Sequence, residues 1–222
     1  MFAAKDLLLT RPTAAPPGGG GVGSASYASF PSVPAGTVHV AVTTGAGVPA
    51  IVSGTTLQEG NSILTNGGYN SHFVLPDIMA VTTVISVTIT VGALSVAANN
   101  RGVGPGVFSS DGTKGVYFRF NSQSATATLV SFQSGAETTQ MSLASQVAVP
   151  ADTLTLTGTL SGGVWTWTVK KNGGADISGL TWPDSGHVID LPGNRVGASF
   201  RHQYASGQAP SRGVAALSAT AA

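Results

Sequence analysis

Between Lys114 and His202 the apolar residues fall on every second position, in short runs broken by Gly, Asn, Asp and Pro. The runs are KGVYFRFNS, TATLVSF, TTQMSLASQVAV, DTLTLTGTL, GGVWTWTVKKNGG and NRVGASFRH. A period of two puts successive side chains on opposite faces of an extended chain, so this stretch predicts consecutive antiparallel strands. Val116, Phe118 and Phe120 share one face, with Tyr117 and Arg119 on the other. Trp165, Trp167 and Val169 oppose Thr166, Thr168 and Lys170, and Leu154 and Leu156 alternate with Thr155 and Thr157. The expectation is that one face buries and the other is wetted, the mark of an antiparallel sandwich rather than of a parallel sheet. By this parity Trp165 and Trp167 belong to the core. No segment sustains a 3.6-residue period, so helices are expected to be few.

The remainder of the chain reads as leader, more strands and tail. Residues 1–12 form a short arm that can make one helical turn from Lys5 to Leu9 before Pro12 ends it. Residues 13–28, TAAPPGGGGVGSASYA, have the composition of a flexible linker. The division is therefore an arm and Gly/Pro-rich linker over 1–28 and a β-sandwich domain over 29–222. Strand patterns follow at 37–42, 50–58, 70–75, 80–91 and 93–98, joined by Gly and Pro turns. The segment Asn99 to Gly112, NNRGVGPGVFSSDG, is read as a Gly-rich loop. A last strand at Val214–Ser218 would close the sheet begun near Val38.

Composition restricts function more than fold. Charged residues make up 9% of the 222-residue chain, against about 25% in an ordinary globular protein. A surface so poor in charge is polar through hydroxyls and backbone, or is covered by other chains. The net charge of +1 has no Lys/Arg cluster denser than Lys170-Lys171, which predicts no nucleic-acid partner. Cysteine is absent, so disulfides, thiolate metal sites and thiol catalysis are excluded together. The N-terminus has only Leu7-Leu8-Leu9 as an apolar patch, behind Asp6, and lacks the pattern of a secretory signal. No charge occurs from Ile78 to Asn100, a length that raises the question of a membrane helix. Ser and Thr interrupt it in alternation, which fits two strands and no membrane insertion.

A search for catalytic groups finds little. The acids are Asp6, Glu59, Asp77, Asp111, Glu137, Asp152, Asp176, Asp184 and Asp190. No two have the spacing by which one strand supplies a hydrolase carboxylate pair, and most sit in turn-like sequence, where a carboxylate caps its own backbone. His39, His72, His187 and His202 form no metal-binding pair. No G-x-S-x-G elbow occurs, and Gly102 to Gly106 lack the GK[ST] and helix of a phosphate loop. No enzyme activity and no cofactor are expected. Calcium is the alternative, with Asp111, Asn172, Asp176 and Asp184 as oxygen ligands that form no recognised string.

From Val116 to His202 the order GVYFRF, TLVSF, the turn Pro150-Ala151-Asp152 into TLTLTGTL, WTWTVKKNGG and a closing NRVGASF resembles the concanavalin A-like or laminin-G-like jelly roll. That layout recurs in structural and minor tail proteins of tailed bacteriophages. The resemblance covers less than half of the chain and rests on strand order and turn type. It implies an all-β antiparallel jelly roll with an extended N-terminal arm, serving as a non-enzymatic virion protein. A minor tail protein is the first reading and a capsid decoration protein its alternative, made in the host cytoplasm and placed in the tail rather than the capsid. Its partners would be other virion proteins and copies of itself. The arm would dock on neighbouring subunits through Phe2, Leu7, Leu8 and Leu9, with Pro16 and Pro17 setting the path. A second reading is a carbohydrate-binding module for a host-surface glycan. Sugar rings stack on exposed aromatics, and Tyr69, Trp182 and Tyr204 stand in loop-like sequence. A third is a polysaccharide depolymerase with unrecognised acids.

Overall fold

Alternating Thr and apolar residues in TLTLTGTLS and VWTWTVKK make a hairpin whose two faces differ in polarity, and the rest of the sandwich extends it. The structure, a computed structural model, describes residues 23–42, 49–52, 54–59, 67–92, 102–121, 125–186, 194–204 and 213–222. They contain strands and no helix. In chain order the strands are β1 (Ser24–Tyr27), β2 (Val38–Ala41), β3 (Pro49–Val52), β4 (Thr56–Glu59) and β5 (Gly67–Met79). There follow β6 (Val84–Val91), β7 (Gly102–Phe108), β8 (Lys114–Asn121), β9 (Thr126–Gln133) and β10 (Ala136–Leu143). The last are β11 (Thr153–Ser161), β12 (Val164–Lys171), β13 (Trp182–Asp184), β14 (Asn194–Tyr204) and β15 (Val214–Ala221). Among the described residues all ladders are antiparallel, and they form an eight-stranded and a seven-stranded sheet packed as a sandwich.

The eight-stranded sheet runs β13-β12-β11-β6-β15-β4-β3, with β1 on the same side of β15 as β4. Its alternation behaves as expected. Leu154, Leu156, Trp165, Trp167 and Val169 are buried between the sheets, and the indoles of Trp165 and Trp167 stack at 5.8 Å. Burying each such apolar side chain contributes about 1.5–3 kcal/mol before ordering costs. The opposite face carries hydroxyl pairs, Ser86 Oγ to Thr157 Oγ1 at 3.1 Å and Thr88 Oγ1 to Thr155 Oγ1 at 2.8 Å. Ser161 pairs with Val164, so β11 and β12 join through the two residues Gly162 and Gly163, whose φ values of 58° and 79° make the tight turn that suits strand twist.

The seven-stranded sheet, β10-β9-β8-β7-β14-β5-β2, departs from the expected pattern. Val116, Phe118 and Phe120 face the main core, but Tyr117 and Arg119 on the other face are buried as well, at 0% and 4% exposure. Val74, Phe108, Tyr117, Val130 and Phe132 form a second apolar cluster there, with Val38, Val40 and Val42 packed on it. The sheet buries that face by rolling on itself. Asn70 of β5 donates to Glu137 of β10 at 2.5 Å, although five strand-to-strand steps separate them. Laid flat, those steps would span about 24 Å. His72 of β5 likewise meets the rings of Tyr117 on β8 at 4.7 Å and Phe132 on β9 at 4.8 Å.

Three further expectations change. The stretch read as a Gly-rich loop holds β7, an inner strand between β8 and β14. Its glycines are required by what lies over it: a Cβ on Gly102 would stand 2.5 Å from Arg119 Cγ, and one on Gly104 would stand 1.5 Å from the Phe118 carbonyl oxygen. The final strand does not close the sheet of Val38. β15 pairs with β6, β4 and β1 in the eight-stranded sheet, whereas β2 pairs with β5 in the other. The sandwich also begins earlier than Ser29, since Ser24 to Tyr27 pair with Thr220 to Leu217. The arm residues Phe2, Leu7, Leu8, Leu9, Pro16 and Pro17 lie outside the described residues, as does the strand expected at 93–98. Among the described residues no helix is long and apolar enough to cross a membrane.

Candidate functional site

The rolled sheet brings together polar residues that are far apart in the chain, and the seam where it closes is the candidate site. β5 contributes Asn70 and His72, β8 contributes Tyr117 and Arg119, β10 contributes Glu137 and β14 contributes Arg201. Asn70 is the hub: its amide donates to Glu137 Oε2 at 2.5 Å, and its oxygen accepts from Arg119 Nη1 at 3.3 Å. Arg119 Nη1 is 3.8 Å from Glu137 Oε1, and its guanidinium lies over the Tyr117 ring at 5.2 Å. In the β5–β14 ladder Arg201 stands opposite Asn70.

Burial sets the charge states in the seam. His72 is held at a pKa of about 3, first by its complete burial and then by the positive charges of Arg119 and His39. The ring is therefore neutral at pH 7. Its Nε2 is 3.7 Å from Glu137 Oε1, too long for a hydrogen bond, and a neutral ring makes this a contact rather than an ion pair. Burial also pushes the Tyr117 hydroxyl well above its ordinary value, with Arg119 pulling the other way. Burial lowers Arg201, and repulsion from Arg119 adds to it, while Glu137 opposes. Among the described residues both nitrogens of His72 are buried without a hydrogen-bond partner, and the buried Tyr117 hydroxyl faces Glu137. Buried polar atoms of this kind are normally satisfied, so the His72 nitrogens have capacity left for a bound group or water.

The aromatic residues singled out from the sequence part company. Tyr69 and Tyr204 are in strands rather than loops: Tyr69 stands opposite His202 and Tyr204 opposite Gly67, two positions apart on the β5–β14 ladder and next to Asn70. The glycines beside Tyr69 read as a turn, yet Gly67 and Gly68 already pair with β14. Trp182 lies in the other sheet, where β13 pairs it with Trp167, and it is half-buried against the main core. Two of the three thus lie together on that ladder, at positions that alternate with those of Asn70 and Arg201.

Away from the seam, acids act within turns. Asp111 accepts from the Ser109 hydroxyl at 2.6 Å and from the Thr113 amide at 3.0 Å, which hold it at a pKa of about 2. Burial raises Asp152, but bonds from Asn172 at 2.7 Å, the Val149 amide at 2.7 Å and Lys171 at 2.9 Å outweigh it and leave it lowered. Asn172 Oδ1 accepts from the Thr153 amide, and Asp176 faces Lys170 at 4.0 Å. Among the described residues no three His, Asp or Glu come together. Sequence reasoning missed Asn70, His72, Arg119, Glu137 and Arg201 as a group. The signal available was a lone Arg between two aromatics and a lone His beside one, FRF and SHF, each in a regular strand.

No family model matches the chain, and no curated protein does. Solved structures do match by shape. The Emp46p carbohydrate recognition domain superposes with a TM-score of 0.52 at 11% identity, covering 83% of this chain and 87% of that one. The seed lectin of Lotus tetragonolobus gives 0.51 at 11% identity, covering 89% and 97%. A protein of unknown function from Shewanella oneidensis MR-1 gives 0.52 at 11% identity, covering 89% and 85%. The fold is a jelly-roll sandwich of the lectin kind. At these identities the likeness concerns the fold, and the site must be argued from its own residues.

Proposed function

We propose that the chain is a non-catalytic carbohydrate-binding module that holds a glycan at the seam of the rolled sheet. The observation that carries this reading is the gathering at the seam of polar groups from four strands, Asn70 and His72, Tyr117 and Arg119, Glu137, and Arg201. Sugars ask for converging hydrogen-bonding partners of this kind. Two of the structures that share the fold are named as a carbohydrate recognition domain and a seed lectin. Glycoside hydrolysis needs two facing carboxylates, and among the described residues Glu137 is the single carboxylate of the seam. Host-surface glycan is the ligand class and a virion, with other virion proteins and copies of this chain as neighbours, is the setting we propose. The charge-poor composition and the strand order from Val116 to His202 support that setting.

A glycan array probed with the full chain, followed by calorimetry on hits, tests the binding. Asn70→Ala is expected to weaken a hit by about tenfold, as losing a hydrogen-bonding group in a partly buried site costs about 1–2 kcal/mol. Trp182→Ala is expected to lower stability and leave affinity nearly unchanged. Absence of any hit, or loss confined to Trp182→Ala, overturns the assignment. In particles, deleting residues 1–20 is expected to abolish incorporation while leaving glycan binding intact.

A further inference from the structure

Among the described residues the seam carries more positive charge than its carboxylate balances. Arg119 is almost fully buried, and Arg201 is half-buried beside it. Against these two guanidiniums, which stay charged at any physiological pH, stands Glu137, with a side chain 15% exposed. His72 contributes no charge at neutral pH. An excess cation in a partly buried site is costly unless a counter-charge completes it.

The geometry leaves donors for that counter-charge. Arg119 lies across β7, in space that exists because residue 102 is glycine, with a hypothetical Cβ there 2.5 Å from its Cγ and 2.6 Å from its Cδ. Among the described residues its long hydrogen bond to Asn70, at 3.3 Å, uses one of a guanidinium's five N–H donors, and the same Nη1 lies 3.8 Å from Glu137 Oε1. Arg201 stands one ladder step from Asn70 and lies in the field of Arg119, Glu137 and Tyr117. Glu137 accepts from Asn70 through Oε2 and lies 3.8 Å from Arg119 through Oε1, so Arg201, the less buried guanidinium, is the one open to an incoming anion.

We propose that the glycan bound at the seam is acidic, with an oxyanion on the sugar, carboxylate or sulfate, held between Arg119 and Arg201. The inference rests on the glycan-binding reading above and names its ligand class. A planar guanidinium fork matches both oxyanions, and the contact is strongest where water is partly excluded. His72 and the Tyr117 hydroxyl then serve the ring hydroxyls of the same sugar.

Calorimetry with the full chain and two matched pairs decides it: trigalacturonate against its methyl ester, and a sulfated galactan oligosaccharide against its desulfated form. In at least one pair the charged member is expected to bind about tenfold tighter, with affinity falling as salt rises. The pair that shows the preference identifies carboxylate or sulfate. Arg201→Gln is the principal variant, because its half-exposed position spares the fold; it should lose about tenfold towards the charged member and nothing towards the neutral one. Arg201→Lys should recover part of the loss. Equal binding within both pairs, binding of uncharged glycans only, or an unchanged Arg201→Gln variant overturns the acidic preference while the glycan-binding reading stands. Failure to bind these probes and every glycan on an array overturns both.

Discussion

In the eight-stranded sheet, β11 and β12 bury Leu154, Leu156, Trp165 and Trp167 and turn Thr155, Thr157, Thr166 and Thr168 outward. In the seven-stranded sheet β8 alternates as strictly, yet Val116, Phe118 and Phe120 go to one core and Tyr117 and Arg119 to another buried layer. The difference is in curvature. A sheet that stays open exposes one face and keeps it polar with hydroxyls; a sheet that rolls has two interiors and must put polar residues inside the second one. Strand alternation therefore establishes that two faces exist without establishing which of them meets water. The polar groups divide the same way: hydroxyl pairs line the open sheet, and Asn70, Arg119, Glu137 and Arg201 meet at the seam of the rolled one.

The largest expected effect breaks this comparison directly. Lysine at Tyr117 would place a charge in the second core, while lysine at Thr159 would stand in water on an outer face. Tyr117→Lys is expected to cost at least about 4 kcal/mol, and Thr159→Lys to stay within about 0.5 kcal/mol. Urea unfolding of both variants measures the gap. Two small effects would mean that the roll stands open in solution.

A second prediction separates the sheets by pH. The folded-state pKa of His72 is depressed to about 3 from an ordinary 6.5. Below pH 6.5 the unfolded chain takes up a proton that the folded chain refuses until about pH 3, so stability falls as pH falls across that window and is constant above it. The full loss is on the order of a few kcal/mol. His72→Phe keeps the packing against Phe108, Tyr117 and Phe132 and removes the titration. Its stability should depend much less on pH between 6.5 and 4 than that of the parent, by chemical unfolding at stepped pH. Parallel curves would show that His72 is hydrated.

What was legible in the chain divides along the same line. The open sheet was readable because each of its strands reports its own environment: β11 and β12 alternate cleanly, and Gly162-Gly163 marks their turn. Asp111 and Asp152 announced turns by their neighbours, and both do cap them. β7 was not readable, since GVGPGVF has the composition of a loop and becomes a strand only because Arg119 and Phe108 need the space above its glycines. The partner of β15 is set by non-local pairing, on which Val214 to Ser218 carry no local information. The seam was the least legible feature. Asn70 and Glu137 meet across five strand steps, and nothing in either residue's neighbourhood foretells how far a sheet will curl.

The smallest effect tests the other half of the comparison, that the outer face of the eight-stranded sheet is wet. Thr155 and Thr88 share a hydroxyl hydrogen bond at 2.8 Å on that face. Valine has nearly the shape of threonine and suits a strand equally well, so Thr155→Val exchanges one partly solvated hydrogen bond for a methyl group. In water that exchange is worth no more than about 1 kcal/mol in either direction, because solvent replaces the lost partner for Thr88. Denaturant midpoints for parent and variant, compared at low and high protein concentration, resolve a change of this size. A cost well above that range, growing with protein concentration, would mean that a second chain covers the hydroxyl face and that Thr88 is left unpaired in a dry interface. The open sheet would then be an assembly surface, and its clean alternation would record contact with a partner as much as contact with water.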